Sequence, residues 1–424
     1  MRKLEDSGIE WIGEIPADWT LQRGKTIFAQ RLTKGNQSEI LLAATQKYGM
    51  LPQSEVEGVV QVKEDADLQQ FRTVHKKDFV ISLRSFQGGF EYSQYEGVCS
   101  PAYQVFYNTT PICHDYYRLL FKSDGFIQKM NSMTVGIREG KNIQYSDFAN
   151  SLIPVPPINQ QHRIADYLDR KCSQIDAIIA RQQEVIEKLK VYKLSIITEA
   201  VTKGLNPDVP MKNSGVEWIG EIPQFTTVTC ARHLYEIILG KMLSPVPKNE
   251  EDTLESYFCA ANIHFSDIDY DNLKTMWFSK EERRNYLVSL GDLLIVEGGA
   301  GAGGAHIVEK SVENCYIQNS IMIARSKSSV SNKWLYYTLY SLVNREYIDF
   351  VCNKATIPHF TKDKLGNTPV VFFPREIEKS IIVFLDKKCS NIDKLIFQKK
   401  RVIEQLTAYK KSLIYEVVTG KKEV

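Results

Sequence analysis

The side chains best suited to chemistry lie in a few glycine-bearing polar loops. Arg84, Ser85 and Gln87 belong to Arg84-Ser85-Phe86-Gln87-Gly88-Gly89, and Arg138, Lys141 and Asn142 to residues 134–142. In the later half, His306 closes residues 297–306, Gln318 and Asn319 precede Ser320, and Lys354, His359 and Lys362 share residues 354–362. Arginine and lysine neutralise phosphates, whereas Gln, Asn, Arg and His match the donors and acceptors of base edges. Glycines let another backbone come close. The same residue types also fill ordinary surface loops, so each residue stays open between the two readings.

Other chemistries find little support. The eight cysteines, Cys99, Cys113, Cys172, Cys230, Cys259, Cys315, Cys352 and Cys389, form no C-x-x-C pair. A zinc site or a disulfide framework is therefore not expected, and a reducing cytoplasm fits best. There is no phosphate-loop lysine motif and no H-E-x-x-H. Gly299, Gly301 and Gly304 satisfy G-x-G-x-x-G, but His306-Ile307-Val308 after them reads as a strand, not the helix a dinucleotide site needs. A glycine loop is the better reading. Met1-Arg2-Lys3 leads into Glu5 and Asp6 without an apolar stretch, so no signal peptide is expected, and no apolar run approaches the roughly 18 residues of a membrane span. The 424 residues carry 53 Lys+Arg and 51 Asp+Glu, a net charge of +2. Bulk charge gives no argument for nucleic acid, so basic residues would have to gather locally.

The elements that must position these loops come as a repeat. Residues 6–16 read Asp-Ser-Gly-Ile-Glu-Trp-Ile-Gly-Glu-Ile-Pro, and residues 213–223 read Asn-Ser-Gly-Val-Glu-Trp-Ile-Gly-Glu-Ile-Pro, identical at nine of eleven positions. Leu168-Asp169-Arg170-Lys171-Cys172-Ser173-Gln174-Ile175-Asp176 returns as Leu385-Asp386-Lys387-Lys388-Cys389-Ser390-Asn391-Ile392-Asp393, at an offset of 217. Each half is an opening motif, a variable segment and a helical segment. Either the middles drifted neutrally after duplication, or the frame is held alike for a common partner while the middles read different targets.

The helical segments run from Asn159 to about Lys203 and from Pro374 to about Thr419 without internal proline or glycine. Their spacing predicts a heptad-like seam through Ile175, Ile178, Gln182, Val185, Leu189, Tyr192 and Ile196, repeated as Ile392, Leu395, Lys399, Val402, Leu406, Tyr409 and Leu413. The shared polar position, Gln182 and Lys399, is a candidate for fixing register and partner. Gly204 and Gly420 mark the helix stops. A helix of about 40 residues, roughly 60 Å long, needs a partner for its seam, and the two copies suit one another packed antiparallel. An ordinary helical hairpin is the plainer alternative. Between the segments lie strand candidates at 59–62, 79–83, 103–107, 293–296, 317–324 and 369–373, and helix candidates at 115–131 and 332–349.

In this arrangement the chain resembles the specificity subunits of type I restriction–modification systems. The resemblance is carried by both Ser-Gly-(Ile/Val)-Glu-Trp-Ile-Gly-Glu-Ile-Pro motifs, by Ile153-Pro154-Val155-Pro156-Pro157-Ile158-Asn159-Gln160-Gln161, by the paired Leu-Asp-(Arg/Lys)-Lys-Cys-Ser helices, and by Ala355-Thr356-Ile357-Pro358-His359-Phe360. Two departures concern local packing. Ala17-Asp18-Trp19 follows the first opening motif but Gln224-Phe225-Thr226 the second, and the second helix opens with Phe373-Pro374-Arg375-Glu376.

The resemblance implies an α+β chain with two mixed α/β target-recognition domains, residues 1–155 and 216–372. Two long helices, 156–204 and 373–424, would separate them as an antiparallel coiled coil with a pseudo-two-fold internal repeat, the linker being 205–215. It implies a non-enzymatic reader of a bipartite, asymmetric double-stranded DNA site, docking two methyltransferase subunits and motor–nuclease restriction subunits. S-adenosylmethionine, ATP and Mg would be used by those partners and not by this chain, in the cytoplasm. An interaction scaffold with the same frame that no longer reads DNA is the alternative.

Overall fold

The structure, a computed structural model, describes residues 3–35, 40–56, 68–83, 88–133, 143–327, 330–352 and 358–424. The chain forms two units, Met1–Gln182 with Lys400–Val424, and Gln183–Lys399. This division differs from the expected five segments. Each unit's core takes in the start of one long helix and the end of the other.

In the first unit the opening motif is a small knuckle. Leu4–Asp6 pairs antiparallel with Glu14–Pro16, and the Ser7 amide donates to Gly13 O at 2.9 Å. Gly8 and Gly13 have φ of 66° and 70°, the left-handed region that favours glycine, which explains why both positions are glycine in both copies. Beyond the knuckle stands an antiparallel sheet in the order Phe28–Arg31, Gln104–Asn108, Phe79–Ile81, Phe90–Tyr92. Phe28, Phe79, Phe106, Phe121, Phe126 and Phe148 fill the core against it, mostly edge to face. Thr20–Arg23 pairs with Leu152–Val155 at the start of the first long helix, Ile158–Lys203. Ile164, Leu168 and Ile175 of that helix join this core, as do Leu413 and Val417 of the second long helix, Arg375–Val418.

The second unit uses the same order with other side chains. Met211–Asn213 pairs with Glu221–Pro223, and the four-stranded sheet runs Tyr235–Leu239, Ile321–Ser326, Leu293–Val296, Ala305–Ile307. Thr227–Cys230 pairs with Pro369–Phe372 before the second long helix. This unit also holds a three-stranded sheet, Lys274–Phe278, Thr253–Phe258, Cys315–Ile317, whose last pair is parallel.

Several expected elements are cut by local chemistry. The helix expected at 115–131 is two, His114–Phe121 and Asp124–Ser132, broken where the buried Ser123 hydroxyl donates to Leu120 O. The one expected at 332–349 is Asn332–Val343 and Tyr347–Val351, separated by Glu346 at φ 64°. The strand expected at 317–324 turns at Gln318-Asn319-Ser320 between Cys315–Ile317 and Ile321–Ser326. The strand expected at 59–62 lies outside the described residues. The glycine run after Val296 is a tight loop between antiparallel strands. Gly303 N–H donates to Val296 O at 2.9 Å, and no helix follows at Ala305–Ile307.

Candidate nucleic-acid interface

Seven of the twelve loop residues singled out, Arg84, Ser85, Gln87, Arg138, Lys141, Asn142 and Lys354, lie outside the described residues. The other five belong to the second unit and fall in three places.

Gln318, Asn319 and His359 come together at one end of the second unit's strands. Gln318 Nε2 donates to Asn319 Oδ1 at 2.6 Å, and the Ser320 hydroxyl donates to Gln318 Oε1. The Glu297 amide donates to Ser320 O at 2.8 Å, and the Glu297 carboxylate lies 3.3 Å from His359 Nδ1. Gly298 is bridged to His359, and a Cβ there would stand 3.1 Å from the imidazole, so a larger residue would press on that ring. His359 is exposed, while Gln318 and Asn319 are half-buried with their amides already oriented. Pre-orientation of this kind suits base-edge recognition, since less side-chain freedom is lost on binding.

Lys241 braces the cluster from below, a role the sequence reading missed. Asn319 N–H donates to Lys241 O at 2.8 Å. The Lys241 ammonium is buried, donates to Trp277 O at 2.7 Å and ion-pairs with Glu282. Burial works against ionisation of Glu282, yet the hydrogen bonds from Lys241 and Ser279 hold its carboxyl below the usual range. Lys241 is therefore spent on structure, and nothing in its position along the sequence distinguishes it from a surface lysine.

His306 and Lys362 lie elsewhere. His306 packs edge-on against Tyr336 and lines a cleft with Lys333 and Asp386. Lys362 opens the short helix Lys362–Asn367 and stays exposed, beside a groove lined by Arg232, Lys327 and Glu236. The strand Ala305–Ile307 carries His306 against Tyr336.

The helix positions show a phase shift. Ile175 and Ile392 are buried, and Gln182, Leu189, Lys399 and Leu406 are half-buried. The intermediate positions are one residue out. Ile178, Leu395 and Val402 are exposed, as are Tyr192 at 54% and Tyr409 at 51%, and Val185 is half-buried. The shielded line passes instead through Cys172, Ile179, Ile186 and Lys193, and through Cys389, Ile396, Ile403 and Lys410. Both lysines are ion-paired to the other helix. Lys410 Nζ lies 2.6 Å from Asp176 in the first unit, and Lys193 Nζ 2.8 Å from Asp393 in the second.

The repeated helices also brace the rest of each unit. The buried Gln161 side chain accepts the Cys113 amide at 2.9 Å, capping the helix His114–Phe121. Its counterpart Glu378 accepts the Ser331 amide at 2.7 Å before the helix Asn332–Val343, and burial pushes its carboxyl up. The two departures noted in the sequence turn out to be one exchange. Trp19 is buried against Gly420 and donates from Nε1 to Gln160 at 2.8 Å. In the second unit Phe373 stands against Gly204 in its place, packed on Trp334.

Comparison with known proteins adds to this geometry. Residues 12–188 match the family model of the type I restriction modification DNA specificity domain. A putative type I restriction enzyme MjaX specificity subunit of Methanocaldococcus jannaschii is 24% identical over 97% of this chain and 96% of that one. The MjaVIII specificity subunit of the same organism is 23% identical over 83% of this chain and 80% of its own length. The fold is shared with a chain solved in a study of complex assembly and conformational transition of the type I R-M system, with TM-score 0.71, 14% identity, and coverage of 96% of this chain and 99% of that one. It is also shared with the HsdS subunit of Thermoanaerobacter tengcongensis, with TM-score 0.54, 14% identity, and coverage of 96% and 98%. The DNA specificity domain match thus falls on the first half, and the second half repeats its strand order. The chain is similar over nearly its whole length to proteins named as type I restriction enzyme specificity subunits.

Proposed function

We propose that each unit reads one half of a split, asymmetric double-stranded DNA site. The observation that supports this most is a frame repeated strand for strand that carries unlike loops. Knuckle, sheet order and helix cap recur, whereas Gln318-Asn319-Ser320 and its neighbours have no sequence counterpart in the first half. One frame used twice serves a partner present twice, and unlike loops serve unlike half-sites. The two long helices pack antiparallel as a coiled coil and act as a ruler over the unread bases. Two methyltransferase subunits dock on the repeated frame, and restriction–translocase subunits join them in the cytoplasm. S-adenosylmethionine, ATP and Mg belong to those partners.

Among the described residues no helix is long and apolar enough to cross a membrane. In the second unit, Gln318 and Asn319 contact base edges and the exposed Lys362 contacts phosphate. Titrating salt in a binding assay of the chain with a methyltransferase partner tests this reading. A sequence preference that survives as overall affinity falls with salt supports it. Salt-independent or sequence-blind association supports the scaffold alternative.

A further inference from the structure

Lysine is a costly residue at a helix–helix seam, yet each long helix carries one at the same repeat position. Lys193 and Lys410 lie on the shielded line where the neighbouring members are Ile179, Ile186 and Cys172, or Ile396, Ile403 and Cys389. The Lys193 side chain is only 11% exposed, with its ammonium over the Tyr340 ring. Each reaches an aspartate on the opposite helix, Lys193 to Asp393 and Lys410 to Asp176. The two pairs belong to one registration, because 17 positions separate Asp176 from Lys193 and Asp393 from Lys410.

Neighbouring registers are worse served. Seven residues earlier stand Asp386 and Asp169, but Asp386 is already held by Lys333 Nζ at 2.6 Å and Tyr337 OH at 2.7 Å. Asp169 is held by Arg118 at 2.9 Å. The polar seam position suggested by sequence, Gln182, offers no such device, since its Oε1 is buried without a partner. Polar groups at an otherwise apolar seam select register at a cost in stability.

We propose that the Lys193–Asp393 and Lys410–Asp176 pairs lock the register of the two long helices, and thereby the number of base pairs left unread between half-sites. They are positioning residues that touch no DNA. The proposal rests on the DNA-reading assignment above.

The test uses the full chain assembled with its methyltransferase partner. Its substrates are duplexes carrying the host's mapped methylation motif, with the gap varied one base pair at a time. The Lys193→Met/Lys410→Met chain should keep or raise its melting temperature, while its preference for one gap falls from about tenfold to about twofold. Lys193→Asp should flatten the preference, and adding Asp393→Lys should restore it. An unchanged gap profile in the methionine chain overturns the proposal, and so does a reversed pair that fails to restore the profile. If the unaltered chain shows no gap preference, the ruler reading itself fails and the lock falls with it.

Discussion

Asp78 and Asp292 show at single-residue scale how the frame is kept while its details change. Each carboxylate accepts an amide three residues back, from His75 at 2.9 Å and from Ser289 at 2.8 Å, at a turn with φ 75° at Lys77 or 87° at Gly291. Each is neutralised by an arginine of the same sheet, but Arg31 comes from the edge strand two places away and Arg325 from the adjoining inner strand. The arginine could not be found from sequence, because the strand that supplies it is set by tertiary pairing. Glu91 is a less comfortable carboxylate. Burial pushes it up from 4.5 to about 6 despite the ion pair with Lys122 at 2.7 Å. The folded chain therefore keeps a proton that the unfolded chain loses between those values. Stability on this account falls as pH rises through that window, by about 2 kcal/mol. Melting wild type beside Glu91→Gln from about pH 4 to about pH 7 should show wild type losing ground as pH rises, and a constant difference contradicts the assignment. If the Gln318-Asn319-Ser320 loop reads bases as proposed, Gln318→Ala should cost about 1–3 kcal/mol of discrimination, confined to one half-site. Methylation of target libraries would detect it, and equal loss at both halves would contradict one unit reading one half.

At the scale of elements, the exchange of Trp19 for Phe373 is the most instructive. Sequence comparison shows a lost tryptophan and a changed helix opening as separate departures. In three dimensions both rings press on the glycine that ends a long helix, Gly420 or Gly204. Phe373→Ala should cost about 3–5 kcal/mol, measured by denaturant unfolding, because it empties that site beside Trp334. A loss well under about 1 kcal/mol would show that the exchange is not what seals the second unit. The helices themselves were legible to within a residue or two, from the run without glycine or proline and the glycine stop. Their seam was legible only at every seventh position. Ile178 and Ile179 are both isoleucine, as Val185 and Ile186 are both apolar, so spacing alone could not choose between them. Lys193 and Lys410 hid the true line, since a lysine reads as surface until its aspartate is found.

For the whole molecule, the duplication was the part most legible in the sequence, and the strand orders of the two units repeat it. Much less of the candidate site could be read. Loop composition nominated Gln318, Asn319 and His359, which converge, along with His306 and Lys362, which do not, because convergence depends on how strands pair. The partition of the helices between units was also hidden, since it is settled by cores that draw on residues hundreds of positions apart, such as Ile164 with Val417. On the function proposed above, a net charge of +2 on 424 residues suits a chain that grips phosphates weakly alone. The central claim is that one chain reads two unlike half-sites across a fixed gap. Mapping methylated positions genome-wide in the host, with and without this chain, tests it most directly. The account predicts that a two-part, asymmetric motif with one constant gap disappears when the chain is removed. A continuous motif, or a map that does not change, would contradict it.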